Sequence, residues 1–200
     1  VVPGHPPGAV VGGKPATFTL EISGSDDAAI STFTCSDPQA VFVFPAGTGL
    51  GGNEVMLGNG THGFLLDTRV TGDLTVTVRV SDGSGHSVQR QCTVTSRYPK
   101  FSAMIRTMSS AALYSDSPMT LIIRSTEYAG DYTVSYTTTS TNCRVSYGGS
   151  MLRPDSPVTL EAGQHIFTAN SSYAERTEFV FTITDIYGQS QQAQASITWR

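Results

Sequence analysis

The chain has 200 residues, with 12 Lys and Arg against 16 Asp and Glu and a formal net charge of −4. No cluster of Lys and Arg is present to displace counterions from phosphates, so the balance argues against a nucleic-acid partner. No apolar run approaches the length that a membrane-spanning helix needs, and no transmembrane segment is expected.

Residues 1–15, VVPGHPPGAVVGGKP, carry Pro and Gly at a density that denies them a helix. From Thr17 to Ile22 the chain alternates, with Phe18, Leu20 and Ile22 on one side, as a half-buried strand does. A turn with the pair Asp26-Asp27 follows, read as solvated. Next comes a strand from Ser31 to Ser36 with Phe33 and Cys35 inward. Val41 to Phe44 form a short strand ended by Pro45 and a glycine-rich loop. Val55 and Leu57 belong to another, and the turn at Gly58-Asn59-Gly60 leads to Phe64 and Leu66. Leu74 to Ser81 and Ser87 to Ser96 form the strongest pair, joined by Asp82-Gly-Ser-Gly, where Gly85 supplies the positive φ of a tight hairpin.

The last forty-odd residues repeat residues 55–97 at an offset of 103, from Val55/Val158 through His62/His165 and Asp82/Asp185 to Arg97/Arg200. In this frame Leu121 and Ile123 stand for Phe18 and Leu20, Pro118 for Pro15, and Tyr136 for Phe33. The expected fold is therefore all-β, two tandem immunoglobulin-like β-sandwich domains related by that internal repeat. Residues 1–97 are the first. Residues 98–103 hold the linker and the first strand of the second, and residues 104–200 complete it. Tyr98-Pro99-Lys100 is a short linker stiffened by Pro, so an end-to-end pair with limited swing is expected. Val1 falls opposite Met104, and the natural protein is expected to begin earlier, with room for an export leader.

Of the three cysteines, Cys35 and Cys92 lie on strands separated by a third, roughly 9–10 Å apart at two strand spacings. A disulfide needs less than about 7 Å between Cα atoms. Cys35, Cys92 and Cys143 are read as free thiols, and their spacing fits no zinc site.

His62 and His165 are the repeated histidines, each at the start of a strand. Neither has a second ligand at a chelating interval, so each is read as a ring at a sheet rim with one nitrogen bonded. Asp82 and Asp185 lack the ligand run of a calcium loop. They are expected to brace their hairpins by accepting turn amides. No nucleophile elbow occurs among the many Ser and Thr, and no catalytic residue, metal or cofactor is expected. Asn59-Gly-Thr and Asn170-Ser-Ser match the glycosylation pattern and receive no weight. The surface candidates for interaction are four aromatics: Tyr98 and Phe101 flanking the linker, Tyr187 at a hairpin tip, and Trp199 beside the C-terminus. Tyr98 and Phe101 are expected to pack the two domains together.

The second unit carries Lys100-Phe101, Thr107-Met108, Asp131-Tyr-Thr-Val-Ser-Tyr136, Leu152-Arg-Pro-Asp155, Leu160-Glu-Ala-Gly163, Phe167 and Thr184-Asp-Ile-Tyr-Gly-Gln189. This series resembles the TraQ family of conjugative-transposon proteins over most of residues 100–200. Members of that family are single units, whereas this chain has two. The resemblance implies an exported or lipid-anchored protein of a bacterial transfer operon, with any lipid anchor upstream of Val1.

The reading is a non-catalytic binding or scaffold protein of the cell envelope, in the periplasm or on the outer surface of a bacterium, associated with conjugative transfer. Its partners would be other envelope proteins, transfer-apparatus components among them, met through sheet edges or hairpin tips. The alternative is a cell-surface glycan-binding or adhesin-type spacer, which a row of exposed aromatics on a concave face would favour.

Overall fold

The computed structural model describes residues 2–3, 8–11, 14–24, 27–44 and 49–200. Asp26, Pro45 and part of the proline- and glycine-rich opening segment lie outside the described residues. The chain divides into two compact units, Val1–Pro99 and Lys100–Arg200. Among the described residues every regular element is a strand, which the density of β-branched residues and the two-residue periodicity explain.

Unit 1 contains β1 (Val2–Pro3), β2 (Ala9–Val10), β3 (Ala16–Ile22), β4 (Ala29–Cys35), β5 (Val41–Val43), β6 (Gly49–Gly51), β7 (Glu54–Leu57), β8 (Gly60–Asp67), β9 (Gly72–Ser81) and β10 (Ser87–Arg97). They form two sheets, in the orders β1-β3-β8-β5 and β2-β10-β9-β4-β7-β6. Unit 2 contains β11 (Ser102–Thr107), β12 (Ser110–Ala111), β13 (Ser117–Arg124), β14 (Tyr132–Thr138), β15 (Cys143–Tyr147), β16 (Ser150–Leu152), β17 (Val158–Leu160), β18 (Gly163–Ser171), β19 (Arg176–Thr184) and β20 (Ser190–Trp199). Its sheets run β11-β13-β18-β15-β16 and β12-β20-β19-β14-β17. Each unit is a β-sandwich. The third strand of one sheet lies beside the eighth, and the fourth lies beside the ninth in the other.

The alternation read from the sequence decides which face is inside. β3 is buried at Ala16, Phe18, Leu20 and Ile22 and exposed at Thr17, Thr19 and Glu21. Phe33 of one sheet meets Phe64 of the other with ring centroids 4.7 Å apart. In unit 2 Phe167 and Phe181 do the same at 5.0 Å. Each such ring contributes ~1.5–3 kcal/mol by leaving water. The described residues of the opening segment include the short strands β1 and β2. The expected glycine-rich loop after Pro45 holds β6, which pairs with β7.

The register corrects part of the repeat frame. From β4 onward the offset of 103 holds: Ala29 pairs with Leu57 and Tyr132 with Leu160. Before β4 it does not. Leu20 faces His62, and the residue facing His165 is Leu121. Leu121 therefore stands for Leu20, Ile123 for Ile22 and Met119 for Phe18, and the prolines Pro15 and Pro118 are not equivalent. The reason is length: the loop between β3 and β4 is shorter than the one between β13 and β14. The longer loop carries Tyr128.

Candidate functional site

The repeated aspartates and histidines lie at the end of each sandwich that holds the hairpin β9–β10 or β19–β20. In unit 1 the Asp82 carboxylate accepts the Ser84 and His86 amides, each at 2.9 Å, and its second oxygen lies 3.1 Å from His86 Nδ1. The His86 amide above all, with help from the His86 ring and the Ser84 amide, holds the Asp82 carboxyl below its ordinary value against partial desolvation. In unit 2 Asp185 accepts the Tyr187 and Gln189 amides at 2.9 Å and the Gln189 Nε2 at 2.7 Å. Gly85 and Gly188 take φ of 86° and 81°, which lets the next residue turn back onto the carboxylate. Both aspartates brace their hairpins, as their spacing predicts.

The histidines behave alike. His62 Nε2 lies 2.8 Å from the Gly58 carbonyl, and His165 Nε2 lies 2.8 Å from that of Glu161. In unit 2 Tyr147 adds its hydroxyl 3.1 Å from His165 Nδ1. With Nε2–H donating to the Glu161 carbonyl and Nδ1 accepting from the Tyr147 hydroxyl, both nitrogens of the His165 ring are engaged. Asp37, which the sequence did not single out, is buried and accepts the Gln39 amide, the Thr68 hydroxyl and the Arg69 amide. Burial pushes its carboxyl up, but those three donors outweigh it and leave the pKa lowered. Among the described residues no group of three or more His, Cys, Asp or Glu is placed to hold a metal ion.

The hairpin end of unit 2 is closed by aromatic rings. Phe101 meets Tyr132 at 4.9 Å, Tyr132 meets Tyr128 at 5.6 Å, and Tyr128 meets Tyr187 at 6.0 Å. Successive rings cross at 52°, 85° and 63°, so they interlock rather than forming a flat row. The loop is pinned beneath them: the Lys100 amide donates to Glu127, the Ser125 hydroxyl to the Lys100 carbonyl, and the Tyr128 amide to Ser125. Tyr128 folds back over Gly130, where a Cβ would collide with the ring. Burial first, and then the neighbouring Tyr187 and Tyr132 ahead of Asp131 and Asp185, push the Tyr128 phenol up. Beside Phe101 an open groove of about 600 Å³ is lined by Lys100, Arg124, Ser125 and Gly163 among others.

Among the described residues the hairpin end of unit 1 has no such plug. Where Tyr132 stands in unit 2, unit 1 has Ala29, and where Tyr187 stands it has Ser84. A cavity of about 320 Å³ opens there over Ile22, Ala29 and Val80, with Val88 as one wall and Asp82 and His86 on the rim.

The four predicted interaction aromatics divide. Trp199 is not on the surface: it is 1% exposed in the core of unit 2. β20 alternates, and Trp199 shares the inward phase of Ile197 and Ala193 despite its place at the end of the chain. Phe101 is half-buried against the core of its own unit, on Tyr132. Tyr187 is half-buried at the hairpin tip against Tyr128, and Tyr98 is exposed. The structure brings Phe101 and Tyr187 into one cluster, joined by Tyr128 and Tyr132. Only the inward phase of Tyr132 was available in the sequence to find either of those two. The cysteines are free. Cys35 and Cys92 both sit opposite Val76, one strand to either side of it. Cys143 is buried, which pushes its thiol up to about 11.

No protein-family model matches the chain, and no curated protein matches it. Among solved structures it is similar to a conjugative transposon lipoprotein from Bacteroides eggerthii DSM 20697, with 13% identity and a TM-score of 0.45 over 50% of this chain and 98% of that one. A lipoprotein from Bacteroides thetaiotaomicron gives 15% identity and a TM-score of 0.45 over 51% and 82% of the two chains. Salmonella alpha-2-macroglobulin reacted with methylamine gives 14% identity and a TM-score of 0.37 over 100% of this chain and 16% of that one.

Proposed function

We propose that the chain is a non-catalytic binding or scaffold protein of the bacterial cell envelope, made of two copies of one sandwich module and acting in conjugative transfer. The observation that carries the non-catalytic part is where its reactive side chains are spent. Asp37, Asp82, Asp185, His62 and His165 each bond to loop backbone within their own unit, and their partners are amides, carbonyls and hydroxyls that shape turns, with the His86 ring as a further partner of Asp82. General acid–base or nucleophilic work needs such groups turned towards a substrate, with a base and an orienting group in reach. The strand order, common to both units except at β6 and β16, and the shared register from β4 onward support descent of the two units from one module. The setting comes from the resemblance of residues 100–200 to the TraQ family, and with it export, lipid anchoring and envelope partners.

Deletion of the gene from a donor strain, with complementation by the full-length gene, tests this reading. Transfer frequency is expected to fall and to be restored, with the protein found in the envelope fraction. Unchanged transfer, or a cytoplasmic protein, contradicts it.

A further inference from the structure

The two hairpin ends differ in one respect that points outward from the molecule. In unit 2 the position after the β13–β14 loop is Tyr132, fully buried, with Tyr128 and Tyr187 closing over it. In unit 1 the same register position, paired with Leu57 as Tyr132 is with Leu160, is Ala29. Among the described residues unit 1 has no ring at this position, and a cavity of about 320 Å³ lies beside Ala29. That size is at the small end for ligand sites, which run from about 300 to 1,000 Å³, and suits a single ring. The floor and wall are apolar (Ile22, Ala29, Val80 and the 42% exposed Val88), whereas the rim is polar. At the rim Asp82 holds the His86 ring by Nδ1, and the His86 side chain is 84% exposed. A phenol matches both parts, with a ring for the floor and a hydroxyl for the imidazole and carboxylate.

We propose that the hairpin end of unit 1 is a docking pocket for a tyrosine side chain of a partner protein, seated over Ile22, Ala29 and Val80, beside the register position that Tyr132 occupies in unit 2, with its hydroxyl at Asp82 and His86. The proposal deepens the binding reading above, on which its partner rests; the pocket itself is tested separately.

The probe is N-acetyl-L-tyrosinamide, titrated into the full isotope-labelled chain and followed by amide chemical shifts. Saturable shifts are expected at Ile22, Ala29, Val80 and Val88, with none from N-acetyl-L-alaninamide. Ala29→Tyr fills the cavity as unit 2 does and is expected to weaken binding at least tenfold. Val88→Lys, on the exposed wall, serves the same purpose if Ala29→Tyr does not fold. Absence of shifts at those amides, or equal binding by the folded variants, overturns the pocket and leaves the envelope reading standing. If the variants lose the probe but still restore transfer to a deletion donor at the wild-type level, the assignment of the pocket to a partner's tyrosine is overturned.

Discussion

Asp185→Ala removes the carboxylate that organises the β19–β20 hairpin. Three donors lose their acceptor: the amides of Tyr187 and Gln189, both at 2.9 Å, and the Gln189 side chain at 2.7 Å. Hydrogen bonds to a charged group contribute about 1.5–3 kcal/mol each when the loss leaves a buried donor unpaired. Asp185 itself is 6% exposed, but Ile186 and the rest of the tip reach solvent, so water replaces part of what is lost. The net destabilisation expected is about 2–3 kcal/mol, or roughly 10 °C in the midpoint of a domain of this size. The assay is thermal unfolding followed by tryptophan emission, because the only tryptophan, Trp199, lies in the core of unit 2 and reports that unit. Asp82→Ala, in unit 1, is the control and is expected to leave the Trp199 transition in place. A shift below about 2 °C in Asp185→Ala would refute the bracing role.

Three further outcomes follow from the packing. Asp37 has its pKa lowered in the folded state, so the stability it supplies is full above the unfolded value of about 3.9 and is lost as pH falls through the folded value. Acid unfolding of unit 1 is therefore expected to flatten in Asp37→Asn, measured as denaturation midpoints between about pH 2 and 5; an unchanged acid limb contradicts the assignment. Cys143, with its thiol pushed up to about 11, holds only about one thiolate in a thousand at pH 8, and is expected to react slowly with thiol reagents until unit 2 unfolds. Rapid native labelling of Cys143 by mass spectrometry contradicts that. Trp199 is expected to emit at short wavelength and resist acrylamide quenching, whereas a red, readily quenched emission would place it at the surface.

Much of the fold was legible because a sandwich writes its inner face into the sequence with period two. Phe18, Leu20 and Ile22 in β3 and the long hairpins were readable this way, and Asp82 and Asp185 announced their turns by spacing to Gly85 and Gly188. Where the signal is short it failed. β6 and β16 have three residues each, too few to show a period, and the partner each takes is set by tertiary packing. The repeat frame slipped at β3 because matching Pro15 to Pro118 hid a difference in loop length that only the pairing with β8 and β18 reveals. Trp199 was placed outside by its nearness to the chain end, although the phase of Ile197 already put it inside. The aromatic cluster was half visible: Phe101 and Tyr187 stand out as surface candidates, but nothing in the sequence singles out Tyr128 and Tyr132 as the rings that join them. Asp37 is not marked by the sequence because two of its three donors come from Thr68 and Arg69, 31 and 32 residues away.

The most direct test of the central claim, that the reactive side chains serve structure and the chain works by binding, is complementation of a deletion donor by the chain carrying His62→Gln and His165→Gln together. Glutamine keeps a donor for the Gly58 and Glu161 carbonyls but supplies no acid or base near neutral pH. The account predicts a folded protein in the envelope and transfer at the wild-type level. A folded, correctly located double variant that fails to restore transfer would contradict it.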